Sequence, residues 1–433
     1  MSDFSEVTTQ GWGSRLMGSI RGILVGGLLF LISFPLLWWN EGRAVQTYQS
    51  LSEGRGAVVS VAAESVDPAN ESRLVHLTGT ATAGGTLVDE TFAVAATGAL
   101  KLRRTVEMYA WEEDVKTETR KKVGGGKETK KTYSYEKRWM EYPEDSASFK
   151  VPEGHQNPEM RYESSRWLAE PVTLGGFALS ENLADEISSW DDIPFDDTML
   201  AALPAEVSGV QERPTDAAPK KKKRRRGKRA KQKVAPTKPI SQARASGDAL
   251  YLGADPAAPK VGDLRVRFAQ VQPVEVSVIA AQVGTGLSGY QTKAGDTLEM
   301  LSMGQQPADA MFQEAEANNA VLTWVLRVIG FLLMFFGVNL ILGPFRVFAD
   351  VIPFLGSFMA VGIGIVGFVV AAPLSLVTIA LAWLFYRPLL GTALLVLAVG
   401  AVLGLRAAFA KKSAEGARRP ARPETTNFDL QWH

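Results

Sequence analysis

Long uncharged stretches near the two ends of the chain dominate its pattern of hydrophobic and polar positions. Residues 22–39 form an 18-residue uncharged run that follows Arg15 and Arg21 and ends in two tryptophans. This length fits a transmembrane helix, and aromatic residues favour the lipid–water interface. We therefore predict a first transmembrane helix at residues 22–39. A cleaved signal peptide is the alternative, but its apolar region usually has only about 7 to 15 residues, and no A-x-A-like cleavage site follows Trp39.

Further apolar stretches follow in the C-terminal part of the chain. Residues 320–343 predict a second span, where Arg327 lies near the start and its long side chain can reach the interface. From residue 351 to residue 405 the only charged residue is Arg387. At about 1.5 Å per residue this stretch is too long for one crossing of a bilayer. It must therefore fold back at least once.

Pro373 is the predicted position of that turn. It divides the stretch into a third span at residues 351–371 and a fourth at residues 376–398, with an apolar extension to residue 405. A division into three spans would leave a middle segment of about 13 residues, which is shorter than a bilayer requires. The sequence therefore predicts four spans, and a fifth would reverse the side on which the large domain lies.

The basic residues beside the spans predict their orientation. Six lysines and arginines lie between residues 406 and 422, and Arg346 follows the second span. Short basic segments stay in the cytoplasm. With four spans, the N-terminus (residues 1–21) and the tail (residues 406–433) are cytoplasmic, and the segment 40–319 is extracytoplasmic or luminal.

Between the first two spans the pattern changes to an alternation of apolar and polar residues. A helix is predicted at residues 180–190, where Ser180 can cap the N-terminus. Strands are predicted at residues 74–82, 86–95, 100–111, 263–270 and 274–283. The predicted fold class is therefore an α-helical multi-pass membrane protein with a large β-rich α+β extramembrane domain at residues 40–319.

A highly charged segment interrupts this domain. The whole chain has 47 lysines and arginines against 46 acidic residues, a net charge of +1, yet eleven of the basic residues lie between residues 220 and 233. An acidic block precedes this run and a Pro/Ser/Ala stretch follows it. Blocks of like charge bury too little apolar surface to fold. We therefore predict a disordered insertion at residues 191–246.

The basic run has three interpretations. It can be a solvated loop neutralised by the acidic block, a contact for anionic headgroups or envelope polymers, or a nuclear-localisation or nucleic-acid element. The last interpretation lacks the aromatic residues of a single-strand binder and needs a cytosolic domain, so no nucleic-acid partner is expected. The candidate lipid or partner contacts are Lys220, Lys221, Lys222, Lys223, Arg224, Arg225 and Arg226, with Arg43 and Arg387 beside the spans.

The sequence provides little support for catalysis. It has no cysteine and three histidines, which disfavours thiolate and histidine-rich metal sites. Residues 284–289 match G-x-G-x-x-G, but a turn-like segment follows instead of a helix, so we predict a glycine-rich β-turn. His155 lies in a turn and is interpreted as a hydrogen-bonded histidine, not a general base. We predict no catalytic residue, cofactor or metal site, and no enzymatic activity.

Several segments resemble the LUMA (transmembrane protein 43) family in the same order along the chain. The resemblance covers about residues 12–405 and includes one helix, a large domain and a C-terminal helical cluster. Its segments are NEGRAV at 40–45, MYAWEE at 108–113, YSY at 133–135 with Trp139, GHQNP at 154–158, GDLRV at 262–266, TKAGDT at 292–297 and WLFYRP at 383–388.

The resemblance implies a four-span protein that organises membrane complexes and self-associates. Animal members lie in the endoplasmic reticulum and inner nuclear membrane, with emerin and lamins among their partners, whereas the basic insertion and tail here are compatible with a bacterial member in the inner membrane. We thus expect an integral membrane scaffold whose partners are membrane lipids, other membrane proteins and further copies of itself. Glycines at 356, 362, 364, 367 and 391 favour close helix packing. The alternative is a transporter or a lipid-handling enzyme that uses the C-terminal helices.

Overall fold

A computed structural model of the chain describes residues 4–208, 243–351 and 353–389, together with the single positions Thr392 and Val396. The chain divides into two compact units. We call them the β-rich unit, Met1–Gly18, Gln46–Asn319 and Val347–Ser357, and the helical unit, Ser19–Val45, Ala320–Arg346 and Phe358–His433.

Seven α-helices lie in the described part of the chain, and three of them are long and apolar enough to cross a membrane: α1, α5 and the Phe358–Tyr386 part of α7. In chain order the helices are α1 (Trp12–Ala57), α2 (Glu181–Glu186), α3 (Asp197–Ala202), α4 (Ala205–Ser208), α5 (Ala308–Ile341), α6 (Gly343–Ala349) and α7 (Pro353–Tyr386). Two short 3₁₀ turns occur at Pro68–Asn70 and Ser146–Ser148.

The described strands all belong to the β-rich unit. They are β1 (Phe4–Gln10), β2 (Val59–Ser60), β3 (Leu74–Ala83), β4 (Thr86–Asp89), β5 (Val94–Thr97), β6 (Lys101–Lys121), β7 (Lys127–Met140), β8 (Ser165–Leu168), β9 (Val172–Leu174), β10 (Phe177–Ala178), β11 (Asp191–Ile193), β12 (Ala243–Ser246), β13 (Ala249–Leu252), β14 (Leu264–Val271), β15 (Val274–Val283), β16 (Gly286–Ser288), β17 (Tyr290–Gln291), β18 (Thr297–Leu298) and β19 (Met300–Met303).

The larger sheet is built around the long β6–β7 hairpin. Its strand order is β1-β7-β6-β14-β13-β12, and all of these neighbours are antiparallel. Strand β8 pairs with the start of β6, and β11 pairs with the end of β14. The apolar side chains of this sheet pack with Phe92, Phe195 and Val207 into one buried cluster. Beyond Met108, which faces Leu264, β6 no longer pairs with β14, and the hairpin continues to Lys121.

The second sheet closes on itself. Strand β3 pairs with β15 along eight residues, and the ring continues through β16, β10 and β9 back to β3. The short strands β19 and β2 pair with β15 and β3 and are the outer strands of this sheet. Phe177, Leu183 and Val278, all fully buried, belong to the core of this sheet.

The predicted strands are confirmed with changes at their ends. The stretches 74–82, 263–270 and 274–283 correspond to β3, β14 and β15, and the stretch 100–111 is the first half of a longer β6. The stretch 86–95 divides into β4 and β5, because a turn with Ala93 at φ 52° reverses the chain. The predicted helix at 180–190 is the shorter α2, whose Leu183 amide is capped by the Ser180 hydroxyl.

The predicted disordered insertion at residues 191–246 is wrong at both ends. The start of the segment forms β11, α3 and α4, and its end forms β12. Phe195, Leu203 and Val207 alternate with the acidic residues and are buried in the core, so the amphipathic pattern outweighs the charge. Residues 209–242, which include the basic run, lie outside the described residues.

The predicted turn at Pro373 is also wrong. Helix α7 runs without a break through this proline, so residues 351–371 and the first part of 376–398 form one helix instead of two spans. Proline is tolerated within apolar helices because other groups satisfy the backbone carbonyl that it frees. The described residues therefore hold three candidate spans and not four.

The N-terminal residues form part of the larger sheet. Strand β1 pairs with β7 along its whole length, from Phe4 opposite Tyr133 to Gln10 opposite Lys127. The sides of the membrane predicted for residues 1–21 and 40–319 stay predictions.

A buried carboxylate connects the start of α1, the hairpin tip and the linker before α7. Asp350, with a side chain 1% exposed, accepts hydrogen bonds from Arg15 and Lys121, each at 2.6 Å. Burial raises the pKa of Asp350, but the bonds to Lys121 and Arg15 outweigh burial and hold the pKa below its ordinary value. We call these three residues the Asp350 cluster.

The Asp350 cluster is expected to open only in strong acid. Because the pKa of Asp350 is lower in the folded protein than in the unfolded chain, its stabilisation is present above about pH 3.9 and is lost as the pH falls through the folded-state pKa. Spin labels on cysteines at Val123 and Val351 should give a narrow distance distribution at pH 7 and a broad one below that pKa.

Two variants check this assignment. Asp350→Asn should broaden the Val123–Val351 distribution already at pH 7, because a neutral amide attracts the two cations only weakly. A label pair at Val123 and Thr8 reports on β1 and the hairpin alone and should stay narrow in both cases. An unchanged Val123–Val351 distance in Asp350→Asn would show that the cluster does not hold these segments together.

Candidate functional site

The helical unit brings three helix segments together around one ion pair. Helices α1 and α5 are antiparallel, since Gly26 approaches Gly337 at one end and Glu41 contacts Arg327 at the other. Helix α7 is parallel to α1, with Trp383 beside Glu41. The core between these segments contains Leu37, Met334 and Ala371, each fully buried. This packing places the charged turn that follows the apolar part of α1 against both other helices.

Glu41 is the centre of the site. Its side chain is 2% exposed, and its carboxylate accepts hydrogen bonds from Arg327 Nε at 2.7 Å and Arg327 Nη2 at 2.8 Å. The indole Nε1 of Trp383 donates to the same carboxylate at 2.6 Å. The Arg327 guanidinium also lies over the rings of Trp324 and Trp383, at 4.8 and 5.6 Å from their centroids. Two-point pairing of this kind fixes both distance and orientation.

Neighbouring polar residues extend the site along α1 and α5. Asn40 is fully buried and donates to the backbone oxygen of Thr323 at 3.1 Å. Arg43 donates to the hydroxyl of the same threonine at 3.0 Å. Asn40, Glu41 and Arg43 therefore all bind α5 or α7 from a single turn at the end of the apolar part of α1.

Glycines allow the helices to approach closely enough for these bonds. A Cβ atom at Gly26 would lie 2.7 Å from the backbone oxygen of Gly337, and one at Gly42 would lie 2.7 Å from the ring of Tyr386. Small residues at such contacts are typical of helices that pack within membranes. Of the glycines predicted to make close contacts, Gly367 meets Asn339, whereas Gly362 and Gly364 have no atom within 4 Å of an added Cβ.

The arrangement can lock helices together, and it offers no group for acid–base or nucleophilic chemistry. Both carboxylate oxygens of Glu41 are occupied by cationic or indole donors, so the pair is closed to a substrate. Among the described residues, no group of three or more histidine, aspartate or glutamate side chains is placed to hold a metal ion. The geometry fits a structural role for the site.

The candidate contact residues divide between described and undescribed parts of the chain. Arg43 and Arg387 lie at the same end of the helical unit, and both are half-buried. Arg387 follows α7 directly and its backbone amide donates to the oxygen of Trp383 at 2.7 Å. The run from Lys220 to Arg226 lies outside the described residues, so its lipid or partner contacts stay predictions.

Sequence reasoning missed Glu41, Trp383 and Thr323 as members of the site. The available signal was a carboxylate directly after the apolar run 22–39 and an arginine within the run 320–343. Opposite charges at the membrane boundary of two helices predict an ion pair if the helices are neighbours. Only the structure shows that they are.

Two smaller interpretations from the sequence are confirmed. The G-x-G-x-x-G segment forms a turn at Gly284, with φ 57°, between β15 and β16, and no helix follows it. His155 donates to or accepts from the Val151 backbone at 3.0 Å and stacks on Tyr135 at 3.9 Å between ring centroids. Trp111 and Tyr135 around it are buried, so this aromatic region is a packed cluster.

Comparison with known proteins identifies relatives along most of the chain. The family model for transmembrane protein 43 matches residues 108–388. The human transmembrane protein 43 is 34% identical over 418 residues, covering 94% of each chain, and the mouse protein is 34% identical over 391 residues, covering 88% of each. The Drosophila homolog is 28% identical over 412 residues, covering 91% of this chain and 94% of its own. No solved structure matches.

Proposed function

Because this chain belongs to the transmembrane protein 43 family, we propose that it is a membrane scaffold that carries a large β-rich domain and self-associates to organise lipids and membrane proteins. The chain is an integral membrane protein, with three helices suited to crossing a bilayer. The observation that carries the proposal is the Glu41–Arg327–Trp383 site, in which one carboxylate of α1 binds both α5 and α7.

The structure of this site favours an anchor over a transport path. Transporters usually carry several ionisable groups along a polar path through the membrane. In the described helical unit, the groove between α1 and α7 is apolar, lined by Phe34, Trp38, Leu374, Val377 and Leu381. The transporter and lipid-enzyme alternatives therefore have no specific observation in their favour.

Self-association is expected to involve the open face of α7. Gly362 and Gly364 lack close neighbours within the chain, so another copy could pack there. The chain has no cysteine, and a single cysteine at Gly362 should therefore give one disulfide-linked dimer band when native membranes are oxidised with copper phenanthroline. A single cysteine at Leu24, which is 79% exposed on α1, is the matched control for random collision and should give little dimer.

Two outcomes would contradict this proposal. Equal cross-linking at both positions would show random collision in the membrane. A single copy per particle, counted by photobleaching of labelled protein from native membranes, would exclude self-association altogether.

A further inference from the structure

An apolar groove lies between α1 and α7 within the helical unit. We call it the α1–α7 groove, and its lining residues are Phe34, Pro35, Trp38, Leu374, Val377, Thr378 and Leu381. Its volume of about 370 Å³ lies within the usual range of small-molecule sites, about 300 to 1,000 Å³. Val377 and Leu381 are 53% and 52% exposed, so the groove is accessible from outside the helices.

The lining of the groove suits a hydrocarbon chain. Phe34 and Trp38 belong to the uncharged run 22–39, and the lining residues of α7 belong to its candidate span. In a bilayer such segments meet acyl chains instead of water. The hydroxyl of Thr378 donates to the backbone oxygen of Leu374 at 2.8 Å, so it is already bonded within its own helix. The groove therefore fits an apolar occupant that comes from the bilayer.

Aromatic rings mark one end of the groove. The ring centroid of Trp38 lies 5.7 Å from that of Phe385 and 6.0 Å from that of Tyr386, both in the last turn of α7. Tryptophan and tyrosine are enriched where a bilayer meets water, because their rings are apolar and also carry a polar group. This end of the groove therefore lies near the level of the lipid headgroups.

Two arginines lie just beyond these rings. Arg43 follows Trp38 by five residues, and Arg387 follows Leu381 by six. At about 1.5 Å per residue these separations correspond to about 8 and 9 Å along a helix. The headgroup layer is about 5 to 7 Å thick on each side of the hydrocarbon core. Because arginine side chains are long, both guanidinium groups can reach a phosphate in this layer.

The charge at this end of the helical unit is positive. In the described part of the unit Glu41 is the only acidic residue, and its carboxylate binds Arg327 and Trp383. Together with Arg43 and Arg387, these residues carry one negative and three positive charges, a net charge of +2. Guanidinium groups bind phosphate oxygens through paired hydrogen bonds. The charge therefore complements an anionic headgroup better than a zwitterionic one.

We propose that the α1–α7 groove, together with Arg43 and Arg387, is a binding site for one anionic phospholipid. The groove holds an acyl chain, and the two arginines bind the phosphate. A second copy of the chain fits less well, because packed membrane helices meet through small residues and this lining is rich in large ones. The inference rests on the lipid-organising part of the proposed function and names its ligand class. It does not depend on self-association.

The test uses the full chain in nanodiscs that hold one copy each. The probe is phosphatidylglycerol with a photoreactive diazirine on one acyl chain, and phosphatidylcholine with the same chains is the comparison. After irradiation, mass spectrometry of peptides should find the label on residues 34–38 and 374–381. At equal lipid concentration phosphatidylglycerol should label these segments roughly 25-fold more, since each of two basic residues near an anionic group contributes about fivefold.

Charge variants test the two arginines. Arg387→Gln should lower the preference for phosphatidylglycerol about fivefold, and Arg387→Gln combined with Arg43→Gln should remove it. Arg387→Lys keeps the positive charge and should keep most of the preference. Arg346→Gln is the matched control, because Arg346 is an exposed arginine of α6 that does not line the groove, and it should leave the preference unchanged.

A bulky substitution tests the groove itself. Val377→Trp should fill the groove and remove the label from both segments. Val366→Trp is the matched control, because Val366 lies on the same helix, is 47% exposed and does not line the groove. It should leave the labelling unchanged.

Three results would overturn the proposal. Equal labelling by the two lipids would identify ordinary boundary lipid. Label that persists in Val377→Trp would place the lipid outside the groove. Label found elsewhere on α7 but on neither segment would show that protein covers the groove. The Gly362 cross-link in native membranes is read separately, so failure of the lipid site is distinguishable from failure of self-association.

Discussion

Replacing Glu41 with alanine is expected to destabilise the helical unit by about 3–5 kcal/mol. The change leaves the Arg327 guanidinium, 15% exposed, without the carboxylate that pairs with it, and it also removes the acceptor for Trp383. A buried charge without a partner costs far more than the pair contributes. Single-cysteine fluorophores at Leu24 and Leu340, both in the helical unit, would follow separation of α1 from α5 during denaturation by SDS in mixed micelles.

The controls separate loss of the pair from loss of a carboxylate in general. Glu316→Ala breaks an ion pair of the β-rich unit, with Arg55, 3.1 Å apart, whose side chains are 28% and 36% exposed. It should cost the β-rich unit only about 0–1 kcal/mol and should leave the unfolding of the helical unit, followed at Leu24 and Leu340, unchanged. Replacing Glu41 and Arg327 together by methionine should restore stability to near that of the unchanged protein, because no charge is then buried alone. A cost below about 1 kcal/mol for Glu41→Ala would show that the pair is solvated and does not lock the helices.

Asp89→Ala is expected to destabilise the β-rich unit by a similar amount, about 3–5 kcal/mol. Asp89 is 1% exposed and pairs with Arg104 at 2.5 Å. Its other oxygen accepts from the backbone amides of Thr91, at 2.9 Å, and Phe92, at 3.3 Å, in the turn between β4 and β5. Removing the carboxylate therefore leaves a buried guanidinium and loosens a turn. Pulse proteolysis in urea measures the unfolding free energy of this unit.

Glu107→Ala is the matched control in the same sheet. Glu107 pairs with Arg265 and Arg267 at 2.7 and 2.6 Å, but all three side chains are 20–32% exposed. Its loss should cost about 1 kcal/mol or less. An equal cost for Glu107→Ala and Asp89→Ala would show that burial does not set the cost of breaking these ion pairs. The Leu24–Leu340 label pair should be unaffected by either substitution, because the two units have separate cores.

The local pattern of apolar and polar residues was sufficient to predict elements in which one face is buried and the other is exposed. β3, β14 and β15 follow the alternation of apolar and polar residues, and α2 follows its serine cap. The pattern was insufficient for the segment after residue 190, where isolated apolar residues such as Phe195 lie among acidic ones. Their burial depends on a partner, β14, that lies about 75 residues later in the chain.

The site was predicted only in its parts. Arg43 and Arg387 were candidate contacts because they lie beside the predicted spans, and Arg327 was expected to reach the interface with its long side chain. The sequence did not show that Glu41 pairs with Arg327, because the two residues are 286 positions apart and meet only where α1 packs against α5. The predicted turn at Pro373 failed because neighbouring groups also decide whether a helix continues through a proline. An apolar helix continues where these groups satisfy the backbone carbonyl that the proline leaves without a donor.

The sequence by itself determined that this is a membrane protein with a β-rich domain and that it belongs with the transmembrane protein 43 family, because hydropathy, alternation and short motifs are local properties. Only the tertiary structure decided that β1 joins the β6–β7 hairpin, that Asp350 holds the hairpin tip beside α1, and that Glu41 binds both Arg327 and Trp383. These contacts join residues more than a hundred positions apart, and their stability comes from burial and hydrogen bonding that exist only once the chain has folded.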